Sequence, residues 1–242
     1  MASAGTVPVT PAPRRRRVGG CDAAVVAALA AQRALELRHS GRNLARPGAP
    51  GRAARAAPRS YPLMVATHLA LFVVPLVRRW HRPRPPAPVR GSAACLLAAA
   101  TLLRLWSIRS LGPAWNAEAR VPPELVPVRR GPYRHCRHPN YVAVAAEFCA
   151  LPLFLGAAPE AVLLSAADGA VLWARVRGEE RRLLQIPAYR EAFADVPRFL
   201  PRVLPHRLGL RSRRHRPPAP SVPEAPPSPG PVPGRPAPPA VR

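Results

Sequence analysis

Apolar residues fall in blocks along this chain, not in short alternating runs. The clearest are Tyr61–Val77, Ser92–Leu103, Tyr141–Leu155 and Ala161–Trp173. A weaker block, Ala23–Leu37, is interrupted by Arg33 and Glu36. Continuous blocks of this length predict helices, and an all-α fold class. The 16 residues from Tyr141 to Gly156 and the 19 from Pro159 to Arg177 meet at the turn Gly156-Ala157-Ala158-Pro159. A helix rises about 1.5 Å per residue, so each arm approaches the roughly 30 Å of a bilayer's hydrocarbon core. The pattern predicts a polytopic membrane protein of about five transmembrane helices. A soluble bundle with buried helices is the competing reading, because Ala-rich segments pack closely in either solvent. Two antiparallel arms bring the polar residues before Tyr141 and after Arg175 to one face.

Composition adds a net charge of +25, carried by 37 basic residues that are all arginine. Codon bias in a GC-rich genome produces such a bias without any functional cause. A basic chain also raises nucleic acid as a partner. The arginines are scattered between apolar blocks, however, and aromatics make up only 5% of the chain. Base-stacking platforms are therefore poorly supplied, and the reading is no nucleic-acid partner. The cysteines Cys21, Cys95, Cys136 and Cys149 are irregularly spaced, and this is not a disulfide framework. The run His135-Cys136-Arg137-His138 has no second Cys/His pair at finger-like spacing, so no metal is expected.

Both ends read as disordered. Residues 1–20 hold Pro8, Pro11, Pro13 and the run Arg14–Arg17, which with Ala24–Ala30 faintly resembles a signal peptide. Residues 206–242 are rich in arginine and proline, with twelve prolines among the last 26 positions, too little apolar surface to offset ordering entropy. The folded domain is expected over 21–205.

Arginine placement sets an expected orientation. The turn Gly156–Glu160 has none, while the other end of the hairpin carries Arg129, Arg130, Arg134, Arg137, Arg175, Arg177, Arg181 and Arg182. The positive-inside rule puts that end in the cytoplasm of a cell membrane. The loop Arg78–Arg90 conflicts with this if Ser92–Leu103 spans. Within the hairpin, Glu147 and Asp168 are carboxylates at membrane depth. Exposure to lipid would cost each about 2.5–3.5 kcal/mol, so both are expected to face the interior, packed on Ser165 or Arg104 or lining a substrate cavity.

The densest chemistry is Gly131-Pro-Tyr-Arg-His-Cys-Arg-His-Pro-Asn-Tyr141, followed by the hairpin and Arg175-Val-Arg-Gly-Glu-Glu180. This combination resembles the isoprenylcysteine carboxyl methyltransferase family. Upstream, Arg33–Arg38 through Arg42-Asn43, Tyr61–Val65, His68, Trp106, Leu111-Gly112 and Trp115-Asn116 resemble its bacterial branch, which includes O-methyltransferases of long-chain pyrones and phenolic lipids. The likeness spans roughly residues 23–200. Sterol reductases carry a string similar to Arg-His-Pro-x-Tyr, so an NADPH-dependent membrane reductase is one alternative. A non-enzymatic, Arg-rich binder of nucleic acid or acidic lipid is another.

The resemblance implies S-adenosylmethionine as methyl donor, held in a cytoplasmic pocket partly enclosed by the chain after Glu180. It assigns cofactor contacts to Val126, Tyr133, His138 and Tyr141, with Arg137, Pro139 and Glu180 beside them, and the reaction centre to Arg175 and Glu179. Arg175 and Glu179 lie four apart on a helix and share a face, which also describes an ordinary surface ion pair. A carboxylate acceptor needs no base, and Arg175 could grip it in bidentate fashion. A phenol or enol acceptor makes Glu179 or Glu147 the candidate base. Either acceptor's lipid tail would enter from the bilayer. Glu147 and Asp168 are carried as cavity residues. The chain departs from the family at its start, where only Ala23–Ala31 is cleanly apolar; this reads as a shortened first helix or a displaced start.

Overall fold

The computed structural model describes residues 19–46, 55–79 and 83–200, so the expected disordered ends lie almost wholly outside the described residues. The fold is all-α. Five long helices run up and down: α1 Gly20–Leu44, α2 Ser60–Arg79, α3 Ala87–Leu111, α4 Pro139–Phe154 and α5 Ala158–Leu183. A short α6, Pro187–Ala192, follows. Between α3 and α4 the chain makes two 3-10 turns, Gly112–Ala114 and Gly131–Arg134. One end of the bundle therefore gathers residues 112–138, the 55–59 turn and the segment after α5.

Proline marks the helix starts. It stands in the first turn of α3, α4, α5 and α6, where its missing N–H has no intrahelical partner to lose. The hairpin turn falls where the sequence puts it, with Gly156 at φ 78° between α4 and α5. Helices α3, α4 and α5 pack in sequence, and α2 lies against α5. On α3 the buried face reads Ala93, Leu97, Ala100, Arg104 and Ser107, a spacing of three and four that presents small side chains to α4. Phe148, Leu151 and Leu155 of α4 and its cap are fully buried there with Leu71 and Leu97. A second core, of Tyr133, Leu183, Tyr189, Phe193 and Val196, supports the site end.

Helices α2 and α3, with the turn to Ala114, are long and apolar enough to cross a membrane. Only 17% and 33% of their apolar windows are buried in the protein, the reverse of a soluble core helix. Leu69, Val73, Leu102 and Val162 are all more than half exposed on the outer surface. Apolar side chains facing outward suit lipid as the solvent. At 16 residues, α4 is shorter than a full span.

The first helix is not shortened. It runs for 25 residues, about 37 Å, straight through Arg33 and Glu36. These residues do not end the helix because they face inward. Glu36 takes hydrogen bonds from Arg104 of α3 at 2.7 to 2.9 Å and from Arg33 at 2.7 Å. Arg33 pairs with Glu147 of α4. Asp22 anchors the far end on Arg79 and Arg90, and Asn43 donates to the Trp115 carbonyl at 2.8 Å. Side-chain polarity, at three levels, ties α1 to the bundle.

Candidate functional site

Local turns set the site. Gly131 opens the Gly-Pro-Tyr-Arg turn at φ 56°, and a Cβ there would stand 2.1 Å from Ser110 Oγ. Only glycine admits both that conformation and that approach. The turn buries Tyr133 and delivers His138 and Pro139 to the start of α4. Gly178 does a related job on α5, where a Cβ would sit 2.7 Å from the Ala56 carbonyl oxygen. The 55–57 turn thus lies directly on the helix that carries Arg175, Glu179 and Glu180.

Helices α4 and α5 then converge as the sequence predicts. His138 Nε2 lies 3.2 Å from Glu180 Oε1, and both are buried. Glu180 also binds Arg198 at 2.6 Å and Arg137 at 3.3 Å. Burial pushes its carboxyl up, but hydrogen bonds from His138 and Arg198 and the charges of His138 and Arg137 bring it down to about 2. The residue lies beyond the apolar arm, which ends at Arg177. The backbone N–H groups of Arg137 and His138 donate to the Pro197 and Arg198 carbonyls, at 2.9 and 3.0 Å, so the chain after α6 closes over this corner. Burial, with the nearby Glu179 charge, holds the Tyr133 hydroxyl well above its ordinary value.

Arg175 and Glu179 share a face but do not pair directly. Tyr141 stands between them: its hydroxyl donates to Glu179 Oε2 at 2.6 Å and accepts from Arg175 Nε at 2.9 Å. Arg175 also donates to the Ala117 carbonyl. It is 2% exposed and has no carboxylate partner among the described residues. A buried cation left this way calls for an anion.

Two cavities meet at this point. One, about 110 Å³, is lined by Tyr133, Arg137, His138 and Glu179. The other, about 170 Å³, is largely apolar, with Arg175 at one end and Arg33, Glu36, His68 and Arg104 along its depth. Trp115, Asn116, Asn140 and Tyr141 line both and form the shared wall. The apolar cavity is also bordered by Leu37, Val65 and Leu69, which are 52%, 38% and 61% exposed, and so reaches the outer surface between α1 and α2.

Tyr133, Arg137, His138 and Tyr141 are thus brought together around the polar cavity, and Pro139 starts the helix that carries Tyr141. Glu180 backs His138. Val126 is placed differently, 77% exposed in a neighbouring hollow that shares only Leu111, Ala114 and Leu125 with the polar cavity. Glu147 and Asp168 are buried but line neither cavity. Glu147 is committed to Arg33, and Asp168 accepts from Thr67 at 3.2 Å. Of the shared wall, the sequence reading names Tyr141 as a cofactor contact and Trp115 and Asn116 only as likenesses; Asn140 it leaves without a role, although that residue lies inside the central motif. Arg198 carried no signal at all.

The sequence model of the isoprenylcysteine carboxyl methyltransferase (ICMT) family matches residues 93–185. Over these residues, and not over the rest of the chain, the sequence is similar to the ICMT family. The ICMT segment contains Tyr133, His138, Tyr141, Arg175, Glu179 and Glu180, and its family is one of membrane methyltransferases. A relative from Bacillus subtilis (strain 168), the uncharacterized protein YpbQ, is 28% identical over 123 residues, which are 51% of this chain and 73% of that protein. No solved structure matches the chain significantly. The ICMT segment excludes α1, α2 and the 187–200 segment, so His68 and Arg198 come from outside it.

Proposed function

We propose that this chain is an integral-membrane, S-adenosylmethionine-dependent O-methyltransferase of a lipophilic acceptor. All five long helices cross the membrane, and the site lies at the cytoplasmic face. The observation that carries this reading is the pair of cavities, one polar and one apolar, that share Tyr141 as a wall between Arg175 and Glu179.

The polar cavity suits such a donor. Arg137, His138 and Arg198 converge on the single carboxylate of Glu180, which leaves positive charge for an amino-acid carboxylate. Arg137 Nε and Asn140 Oδ1 are buried without a partner, one ready to donate and the other to accept. Glu179 offers negative charge to the ammonium or sulfonium. Held there, S-adenosylmethionine would supply an electrophilic methyl carbon for the acceptor oxygen, with its sulfur as the leaving group. On the other side of the wall Arg175 holds the acceptor's anionic oxygen. Tyr141 fixes the Arg175 guanidinium and Glu179 relative to each other, and Trp115 and the two asparagines limit water access. The acceptor's tail lies between Leu37 and Leu69, toward lipid.

Purified protein is expected to transfer labelled methyl from S-adenosylmethionine to a lipid extract, and His138→Ala and Glu179→Ala should each lower the rate by about 100-fold. Unchanged transfer in both variants would refute the assignment.

A further inference from the structure

Arg175 has two hydrogen-bond partners among the described residues, and only one of them lies on the α4–α5 hairpin. Its Nε donates to the Tyr141 hydroxyl at 2.9 Å, and its Nη2 donates to the Ala117 carbonyl. Bonds from two nitrogens of a planar guanidinium fix its plane as well as its place. The aim of Arg175 therefore depends on where the 115–120 segment puts one backbone oxygen. That segment belongs to no helix and is held from outside. On α1, Ser40 Oγ accepts from the Ala117 N–H at 2.9 Å. One turn on, Asn43 donates to the Trp115 and Gly112 carbonyls at 2.8 and 3.1 Å. The His39 ring stacks on Trp115, with centroids 5.8 Å apart. Ser40 and Asn43 are both buried, so water does not stand in for either bond. From the other side, the Ala56 N–H donates to the Ala119 carbonyl at 3.0 Å.

The segment needs these holds. Ala119 sits at φ 49°, in the left-handed region that a residue with a Cβ adopts only where its surroundings impose it. Asn116 closes the turn on itself, accepting from the Arg120 N–H at 2.8 Å and donating to the Arg120 carbonyl at 3.1 Å. That pair shapes the turn without tying it to the bundle. Ser40 and Asn43 supply the tie, from a helix outside the 93–185 segment. Neither residue lines the polar or the apolar cavity, so neither meets donor or acceptor. Resting on the methyltransferase reading, we propose that Ser40 and Asn43 are positioning residues for the reaction centre. They fix the backbone at 115–117, and the Ala117 carbonyl in turn fixes the guanidinium that meets the acceptor oxygen. A residue that merely closed this end of the bundle would change stability and leave kcat alone.

The test is a double-mutant cycle on the full chain in nanodiscs. Ser40→Ala should lower kcat for labelled-methyl transfer about tenfold, with the KM for the donor within about twofold, because Arg137, His138 and Glu180 are untouched. Ser40→Thr keeps the hydroxyl and should keep kcat within about twofold of wild type. Arg175→Lys keeps the charge and loses the planar fork. In that background Ser40→Ala should cost less than about twofold, because the two residues act in series. An unchanged kcat in Ser40→Ala overturns the proposal, as does the same loss in both backgrounds. Hydrogen exchange of the Ala117 amide gives a readout that needs no turnover. It should quicken about tenfold in Ser40→Ala and also in Arg175→Lys, since coupling between two sites is reciprocal. Wild-type protection in either variant overturns the proposal. Amide protection along α4 checks the fold, and Asn43→Ala enters the same cycle where Ser40→Ala does not fold. Coupled exchange without methyl transfer by wild type keeps the hold on Arg175 and removes the enzyme reading. Methyl transfer with uncoupled exchange does the reverse.

Discussion

Tyr141 joins the two halves of the site through a single oxygen, which donates to Glu179 and accepts from Arg175. Tyr141→Phe removes both bonds and keeps the ring. Its kcat for methyl transfer should fall by about 100-fold, with a smaller change in the KM for the donor, because the wall stays while the guanidinium is released. Glu180 supplies a pH dependence. Its carboxyl sits at about 2 in the folded protein against an ordinary 4.5, so its contribution is fully present above 4.5 and is lost as pH falls through about 2. The shift corresponds to about 3 kcal/mol. The stability gap between wild type and Glu180→Gln, from thermal unfolding in detergent, should be widest near neutral pH and close as the pH falls from about 4.5 toward 2. Much of this corner was legible in sequence because a Gly-Pro-Tyr-Arg turn, a helix-starting proline and an Arg-x-x-x-Glu spacing each fix local geometry. The role of Tyr141 as bridge was not, since two residues four apart on α5 predict a direct ion pair and only α4 packing inserts a hydroxyl between them. Arg198 reaches Glu180 through the backbone bonds of residues 197 and 198, which no periodicity encodes.

Helices α4 and α5 were plain in the apolar pattern, down to the Gly156 turn. Helix α1 was not, because Arg33 and Glu36 interrupt its apolar run and look like the end of a span. Their partners, Arg104 and Glu147, lie far off in the chain, so a local pattern cannot reveal that the charges are satisfied. Glu147 and Asp168 show the same effect in reverse: acidic residues on an apolar helix suggest a substrate cavity, yet both are taken up by neighbouring helices. The packing of α5 on the 55–57 turn turns on Gly178. Gly178→Ala would set a methyl 2.7 Å from a backbone carbonyl and 2.8 Å from the Ala57 Cβ, where neither neighbour is a flexible side-chain end. The substitution should cost about 1–3 kcal/mol and lower the Tm in detergent; an unchanged Tm would show that the turn is free to move.

Across the whole molecule, arginine gathers at the site end, while Trp106 and Trp173 sit half-exposed at that level, Trp173 beneath the Arg177 and Arg198 guanidiniums. The opposite end carries arginine too, but Arg79 and Arg90 are engaged by Asp22, and Arg78 by Glu160. This tempers the conflict that the Arg78–Arg90 loop poses for the positive-inside rule. In a background without native cysteines, Arg134→Cys should react with an impermeant maleimide only in inside-out vesicles, and Ala158→Cys only in right-side-out ones. Labelling of both from one side would remove the proposed crossing of α4 and α5. The buried charges of α1 have a consequence for biogenesis. This helix is the first of the five to leave the ribosome, and alone in lipid its Asp22, Arg33 and Glu36 would weigh against insertion. Its partners are made later: Arg79 on the second helix, Arg90 and Arg104 on the third, Glu147 on the fourth. On the proposed five-span topology α1 would settle in the bilayer only as those arrive, so its assembly would wait upon synthesis of the last of its partners.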